Sequence, residues 1–561
     1  MKFSPMFLAV GAMLAPFATQ AAMYQLKELT KPDNYKQSFP MAINNANQSV
    51  VNLTNMYNFP VDLNAVDLEN AFIESNLTSA ELDDLKKGII SGNAQGVLEA
   101  YLQQGASNYT FQRFANVFAY RPDVGNVVKW RQGDLPTNNE FMTDINDNSV
   151  MLAVAGTPFT KQTFLAKATD LEPNPVPQKL WVPEAAYLAA YIQSARGKFM
   201  VPPPYTDYGG GFSYAKSISN SGYIVGYASV GLSDSNIANI KENCTGDDLP
   251  IALCYFGGSS NYLSQAILWK INDTTGKPEV VRALKYLGDK NSNQPHSLSK
   301  YPAITYASTP YDVNNDGIAV GASIYSNSDD IRSSYYGDYV YSAAHAAIFV
   351  GDEVISIINP ADYLSSSAYG INDKDIIVGS ANKIMQSYER SKMFVYDYGT
   401  NTLRWVTDLF ETASTVPAAI NNQNIAVGKT EVFTPGTSTR RNVGFMADLT
   451  NNKFYDLNTL LGCATDYTIV AANAINDNNV IVATAVKEVD KRNNKGEVVK
   501  DSAGNVLKEN IAVAVQLTPI ANGSIDDCST VKNETYERKG ASSGLLALLL
   551  LPVAYWRRRR A

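Results

Sequence analysis

One ten-residue pattern recurs seven times along this chain, and a repeat of that number restricts the fold more than any other feature of the sequence. The copies read AINNANQSVV from Ala42, DINDNSVMLA from Asp144, SISNSGYIVG from Ser217, DVNNDGIAVG from Asp312, GINDKDIIVG from Gly370, AINNQNIAVG from Ala419 and AINDNNVIVA from Ala474. The second position is always Ile or Val. The third is Asn in six of seven copies, and the fourth is always Asn or Asp. The polar turn residues are thus Asn44, Asn146, Asn220 (beside Ser219), Asn314, Asn372, Asn421 and Asn476. The sixth position holds Asn47, Ser149, Gly222, Gly317, Asp375, Asn424 and Asn479, most of them residues that tolerate a positive φ. A strand that ends in Ile, an Asn-Asn or Asn-Asp pair that bonds nearby backbone, and a β-branched run together define a hairpin. The runs IVG, AVG and IVA are apolar on both faces, so the second strand should be buried between neighbours. Gly226, Gly321, Gly379 and Gly428, with Ala483, leave room at the tenth position for another backbone to approach.

An apolar strand follows most copies: AILWK at Ala266, HAAIFV at His345, KMFVYD at Lys392, VGFMADL at Val443 and IAVAVQL at Ile511. A fourth follows in turn, as EVISIINP, TLRWVTDLF and KFYDLNTLLG. Four strands per unit and about seven units predict an all-β fold, a β-propeller of about seven four-stranded blades. From Val313 the later repeats are spaced by 58, 49 and 55 residues, close to a blade of ~40–50 residues. The earlier spacings of 102, 73 and 95 require insertions. The last repeat ends at its third strand, whereas Tyr24–Leu29 (YQLKEL) matches a fourth strand placed before the first repeat. The N-terminal strand is therefore expected to close the last blade, pairing edges otherwise left open.

Helical spacing of apolar residues marks an insertion at 62–105, with Thr78-Ser79-Ala80-Glu81 at a capped start. A second helical piece is read at Pro183–Arg196 (PEAAYLAAYIQSAR). YTDYGGGF, Tyr205–Phe212, reads as a mobile aromatic loop, 233–264 as a long insertion and 487–509 as a charged hairpin. The propeller should span 22–522, with a polar linker at 523–539.

Both ends carry routing signals. Residues 1–21 combine one basic residue, a short apolar run and small residues before Ala21 and Ala22, the features of a secretory signal peptide cleaved between them. Residues 540–561 combine a small-residue patch, an apolar stretch and Arg557, Arg558, Arg559 and Arg560, a charge pattern that keeps the tail cytoplasmic and halts export. An oxidising compartment then accommodates the four cysteines. Cys244–Cys254 with Cys463–Cys528 is the simplest of three connectivities, and no CxxC suggests zinc.

These residues carry two resemblances. The unit of aromatic strand, Ala-Ile-Asn-Asn-x-Gly-x-Ile-Val-Gly and His-Ala-containing strand resembles the HAF-type extracellular repeat of uncharacterised exported bacterial proteins, and His345-Ala346-Ala347-Ile348-Phe349 is similar to its last element. The C-terminal segment resembles the GlyGly-CTERM sorting tag of Gram-negative secreted proteins, with Gly540 and Ala541 where that family has paired glycines. The resemblances imply a protein exported across the inner membrane that ends at the cell surface, in the outer membrane or outside the cell after tag processing, and otherwise stays anchored by the C-terminal segment, and they supply no catalytic residues. The implied partners are the export machinery, a signal peptidase and a rhombosortase-type intramembrane protease, with membrane contact through the C-terminal segment before processing.

No constellation of reactive side chains stands out. The single GxSxG, Gly540–Gly544, lies in the tag rather than between a buried strand and a helix. Asp312–Gly317 imitates the start of a calcium loop, yet the twelfth position is Ser323 and the other repeats carry the same turn, so hairpin geometry accounts for it and no cofactor is expected. Of the two histidines, His345 occupies a repeat position in a strand and His296 a polar loop. Asp247-Asp248 and Asp329-Asp330 read as solvated loop pairs, and the 33 tyrosines suit either a strand core or carbohydrate stacking. With 46 basic against 54 acidic residues the chain lacks the basic face that nucleic acid demands. Loss of Lys2 and the four arginines would lower the formal charge from −8 to −13. The functional expectation is an exported propeller that binds a glycan or protein, or serves as a structural envelope component. The alternative is a secreted glycan- or peptide-active enzyme with inward-facing carboxylates or His296 at the channel mouth.

Overall fold

The computed structural model describes residues 22–525 apart from 169–172, 185–186, 259–260, 290–303, 336, 435 and 464. The segments read as a signal peptide and a C-terminal tag, together with Cys528 and His296, lie outside the described residues. Seven antiparallel sheets, each built on one repeat, form the blades of a propeller. In the first blade the strands run Tyr35–Ile43, Ser49–Met56, Val117–Arg121 and Asn126–Val127, from the innermost outward. The last blade has Thr468–Ile475, Ile481–Asp490 and Lys508–Pro519, and its fourth strand is Tyr24–Glu28, in register with Leu26 opposite Leu517. The expected closure of the ring by the N-terminal strand is therefore observed.

Between blades lie seven apolar clusters, one for each junction. Leu152 and Val154 of the second blade meet Ile218 and Trp269 of the third, and Val320 and Ile348 of the fourth meet Ile377 and Phe394 of the fifth. Val51 and Leu53 of the first blade meet Val482 and Ala514 of the last, so the closing junction buries the same kind of surface as the others. Second and third strands are sandwiched between sheets, which is why their sequences are apolar on both faces.

Every inner strand carries a β-bulge at the same place, two residues before the repeat's Ile or Val. The bulge turns an inner-strand carbonyl toward the tenth position of the repeat. A Cβ added at Gly226, Gly321, Gly379 or Gly428 would collide with the carbonyl of Tyr214, Thr309, Ser367 or Val416. The glycines thus answer a close approach of backbone.

The helical insertions, the extra hairpin of the second blade (Phe159–Phe164 with Gln178–Pro183) and the 487–509 hairpin enter at the same point of a blade, between its second and third strands, while the Tyr205–Phe212 loop connects the second blade to the third. The first blade carries three helices there, α1 (Ala71–Asn76), α2 (Ser79–Lys86) and α3 (Gly92–Gln104). Thr78 and Glu81 cap α2 reciprocally, as that four-residue sequence implies. The third blade carries α4 (Asp234–Asn243) and α5 (Ile251–Gly257), joined by the Cys244–Cys254 disulfide. Cys463 is also disulfide-bonded. The segment 487–509 forms the expected hairpin. The reading of Pro183–Arg196 as helix is corrected. Gln178–Pro183 pairs with Phe159–Phe164, and Leu188–Ser194 is the third strand of the second blade. Its alanines suggested a helix, but Ala190 and Ile192 are wholly buried between sheets, and packing overrides propensity there.

Because strands alternate in direction, the repeat turns lie on one face and the insertions on the other. Among the described residues no helix is long and apolar enough to cross a membrane.

Candidate functional site

On the turn face, all seven sixth-position residues have positive φ, from 57° at Asn479 to 86° at Gly222. The third-position asparagine sets that turn. Asn421 Oδ1 accepts from the N–H groups of Gln423 and Ile425 at 3.1 and 2.9 Å, and Asn44, Asn146, Asn314, Asn372 and Asn476 do the same in their own turns. The amide that remains reaches the next blade. Asn476 Nδ2 donates to the Asn44 carbonyl at 2.9 Å across the ring closure, Asn421 to Asn476 at 2.9 Å and Asn372 to Asn421 at 3.0 Å. The same atoms therefore fold the hairpin and link the blades.

The fourth-position residues form a second ring: Asn45, Asp147, Asn220, Asn315, Asp373, Asn422 and Asp477. Carboxylate alternates with amide, so each Asp Oδ2 accepts from the amide on either side. Asp147 takes Asn45 and Asn220, both at 2.8 Å, while Asp477 takes Asn45 and Asn422. A ring of seven cannot alternate throughout. The one repetition is amide beside amide, Asn220 and Asn315, where Ser221 N donates to Asn315 Oδ1 at 2.9 Å. No two carboxylates adjoin, the arrangement that like-charge repulsion favours.

Beneath this ring Asp144 Oδ2 accepts from Ile218 N, Asp312 Oδ2 from Ile371 N, and Ser217 Oγ donates to Asp312 Oδ1 at 2.7 Å. Burial pushes the Asp144 carboxyl up to about 7, with Asp312 nearby adding to the rise, and burial raises Asp312 as well. Inward-facing carboxylates thus do converge at the channel mouth. Yet every oxygen of Asp144, Asp147, Asp312, Asp373 and Asp477 already accepts a hydrogen bond, most from the adjoining blade. These bonds also account for the Asp312–Gly317 turn. At the bulge of the third blade the Lys216 ammonium lies 4.1 Å from the Tyr311 ring centre, and burial lowers it to about 8.

The insertion face is built differently. An aromatic recess of about 320 Å³ lies between the second and third blades and is lined by Tyr187, Tyr255, Phe256, Tyr262, Gly209 and Gly210, with Thr157 and Glu184 also in its lining. The loop before the third blade carries φ of 57° at Tyr208 and 115°, 90° and 69° at Gly209, Gly210 and Gly211. A Cβ on Gly211 would meet the Tyr205 carbonyl, and one on Gly209 would come within 3.1 Å of Tyr255. Tyr262 then fixes this loop, donating its hydroxyl to the carbonyls of Asp207 and Tyr208 at 2.7 and 2.6 Å. The segment read as mobile is thus ordered against α5. The other wall is α5, held to α4 by the disulfide and packed on Leu180, Trp181 and Val182 of the inserted hairpin. Each wall comes from a different insertion, so spacing in the sequence gave no sign of the recess, although YTDYGGGF marked one wall.

His345, read as a strand residue, is one, in the long hairpin of the fourth blade, and is 2% exposed. Burial lowers its imidazole to about 4, which keeps it neutral at ordinary pH.

Fold and site together define a seven-bladed β-propeller that carries its insertions on one face. The chain belongs to the family described as "Protein of unknown function (DUF3466)", whose model matches residues 4–559. No curated protein matches it. Among solved structures, a Mycobacterium tuberculosis puromycin-hydrolyzing peptidase is similar at 10% identity and a TM-score of 0.31, over 67% of this chain and 47% of that one. The polysaccharide lyase Uly1 is similar at 10% identity and a TM-score of 0.32, over 72% and 85%. A Dyadobacter fermentans protein of unknown function is similar at 8% identity and a TM-score of 0.28, over 75% and 97%. The chain spans about half the length of the peptidase. At these identities the likenesses concern fold alone.

Proposed function

We propose that this chain is exported and acts as a binding protein whose insertion face recognises a glycan. The observation that carries the reading is the recess between the second and third blades. Tyrosine and phenylalanine rings supply apolar faces for sugar rings, and the Tyr187 and Tyr255 hydroxyls and Glu184 offer partners for sugar hydroxyls. Its walls are fixed by left-handed glycines and a disulfide, so little ordering remains to be done on binding. The enzymatic alternative at the channel mouth is less well supported, because each carboxylate oxygen there already accepts a hydrogen bond, most of them from the adjoining blade.

Export rests on the N-terminal signal features and on the Cys244–Cys254 bridge, which suits an oxidising compartment. The HAF-type repeat and the GlyGly-CTERM-like tag extend the reading to surface attachment or release, with processing near Gly540 and Ala541. Retention of the mature protein on an oligosaccharide array tests the binding role. Retention that Tyr187→Ala lowers at least tenfold supports it. A protein that holds no saccharide but captures a protein ligand would overturn it in favour of protein recognition. Mass spectrometry tests the routing, and intact Arg557–Arg560 in both surface and medium fractions would refute tag processing.

A further inference from the structure

A second cavity, of about 400 Å³, opens on the insertion face between the long hairpin of the fourth blade (Ala319–Ser334 with Gly337–Val350) and that of the fifth (Ile376–Met385 with Tyr388–Asp397). Tyr325, Asn327, Asp330, Arg332, His345 and Lys383 line it. We propose that this cavity is a saccharide site for a neutral oligosaccharide, with the imidazole Nε2–H of His345 donating a hydrogen bond from its floor. The proposal rests on the reading of the insertion face as glycan-binding and adds a separate site with its own chemistry.

Ser366 Oγ accepts the Ala346 N–H at 2.8 Å and lies 3.4 Å from His345 Nδ1. A hydroxyl proton directed to Nδ1 makes that nitrogen the acceptor and places the ring proton on Nε2, the tautomer the proposal assigns to His345. The ring is packed edge-on against Tyr325 at 6.0 Å and is 2% exposed, so its orientation is fixed by the strand and by that contact. A buried neutral donor at the base of a cavity suits a hydroxyl or carbonyl oxygen better than a cation.

The charges of the lining cancel. Arg332 forms a two-point pair with Asp330, at 3.2 and 2.9 Å, and its guanidinium lies 3.3 Å from the Tyr341 ring centre. Tyr341 is in turn held by its hydroxyl on the Leu364 carbonyl at 2.9 Å. Lys383 offsets Asp362, which receives Asn359 Nδ2 at 3.0 Å. A site of no net charge, rich in fixed donors and acceptors, favours a neutral polyhydroxylated ligand over an acidic one. The hairpin tips beside it expose aromatic and apolar side chains: Tyr335 at 96%, Tyr388 at 66% and Ile384 at 59%. Those rings are placed to stack on sugar units that extend beyond the cavity.

The chain has only two histidines, which permits a local test. The full mature protein is labelled with ¹⁵N-histidine, and a His296→Gln variant assigns the two imidazoles. It is titrated with neutral tetrasaccharides (cellotetraose, mannotetraose and chitotetraose) and with tetragalacturonate. The expected result is an Nε2–H tautomer for His345 and a saturable shift with at least one neutral sugar. That shift should persist when Tyr187→Ala has emptied the aromatic recess. Lys383→Ala and Asn327→Ala, both away from the core, should weaken it at least fivefold while far-ultraviolet circular dichroism stays unchanged. An Nδ1–H tautomer, or a His345 signal that no neutral sugar moves, would overturn the proposal. A shift with tetragalacturonate alone would overturn its choice of ligand. Failure of the aromatic recess itself appears separately, as wild-type protein that shifts at His345 yet shows no dependence of array retention on Tyr187.

Discussion

The two faces of this propeller use polar residues in opposite ways. On the turn face, the ring of Asn and Asp side chains bonds to its own turns and to the next blade. On the insertion face, tyrosines, glycines and a histidine surround space. The contrast teaches that a ring of converging carboxylates at a channel mouth is not by itself a site. What matters is what the oxygens already hold, and in Asp147, Asp373 and Asp477 each carboxylate accepts three hydrogen bonds from neighbouring blades.

The largest effect should come from the turn face. Asn421 is 4% exposed and its side chain makes four hydrogen bonds, two within its turn and two to Asn476 and Asn479 of the next blade. Asn421→Ala leaves several buried groups unpaired and should cost about 4 kcal/mol in chemical denaturation, at roughly 1–3 kcal/mol per buried orphan. A loss below 1 kcal/mol would mean that the ring is decorative.

A somewhat smaller effect should follow pH through His345, whose lowered pKa makes the folded state refuse a proton that the unfolded chain accepts. Above about 6.5 neither state is protonated and nothing is lost. As pH falls from 6.5 toward 4 the unfolded state gains the proton first, and stability should decline by about 3 kcal/mol, at ~1.4 kcal/mol per pH unit. Denaturation of His345→Gln at pH 7 and pH 4.5 should remove that share of the slope.

Replacing Cys244 and Cys254 together by Ala should loosen α4 and α5 by about 2 kcal/mol, by the entropy of a short closed loop. Hydrogen exchange should rise in these helices and leave the blades untouched. Asn220→Asp would set two carboxylates side by side in the outer ring. It should cost about 1 kcal/mol above the carboxylate pKa range and little below it, in line with repulsion between partly solvated charges. Smallest of all for stability, Tyr187→Ala, at a side chain 44% exposed, should change the unfolding free energy by no more than about 0.5 kcal/mol.

The distribution of these effects explains how much of the molecule was legible in its sequence. The hairpin was legible because its physics is local: Ile43, Asn44 and Asn47 sit within five residues and each meets a backbone requirement. Closure by Tyr24–Glu28 was legible because one strand type was missing at one end and present at the other. The alternation of Asn and Asp around the ring was visible as a list of residues, but its meaning depends on the order of blades in space. Leu188–Ser194 was misread because alanine is compatible with either a helix or a strand squeezed between sheets, and only the neighbours decide. The aromatic recess and the His345 cavity were not legible, since each assembles side chains from separate insertions or adjacent blades.

The most direct test of the division between the faces is a matched calorimetric titration of Asn421→Ala and Tyr187→Ala with the oligosaccharide that the wild-type protein retains, each variant held well below its unfolding midpoint. Asn421→Ala, though less stable, should bind with wild-type affinity per folded molecule, while Tyr187→Ala should stay close to wild type in stability and bind at least tenfold more weakly. Weakened binding in Asn421→Ala with unchanged binding in Tyr187→Ala would contradict that division and place recognition at the ring of turns.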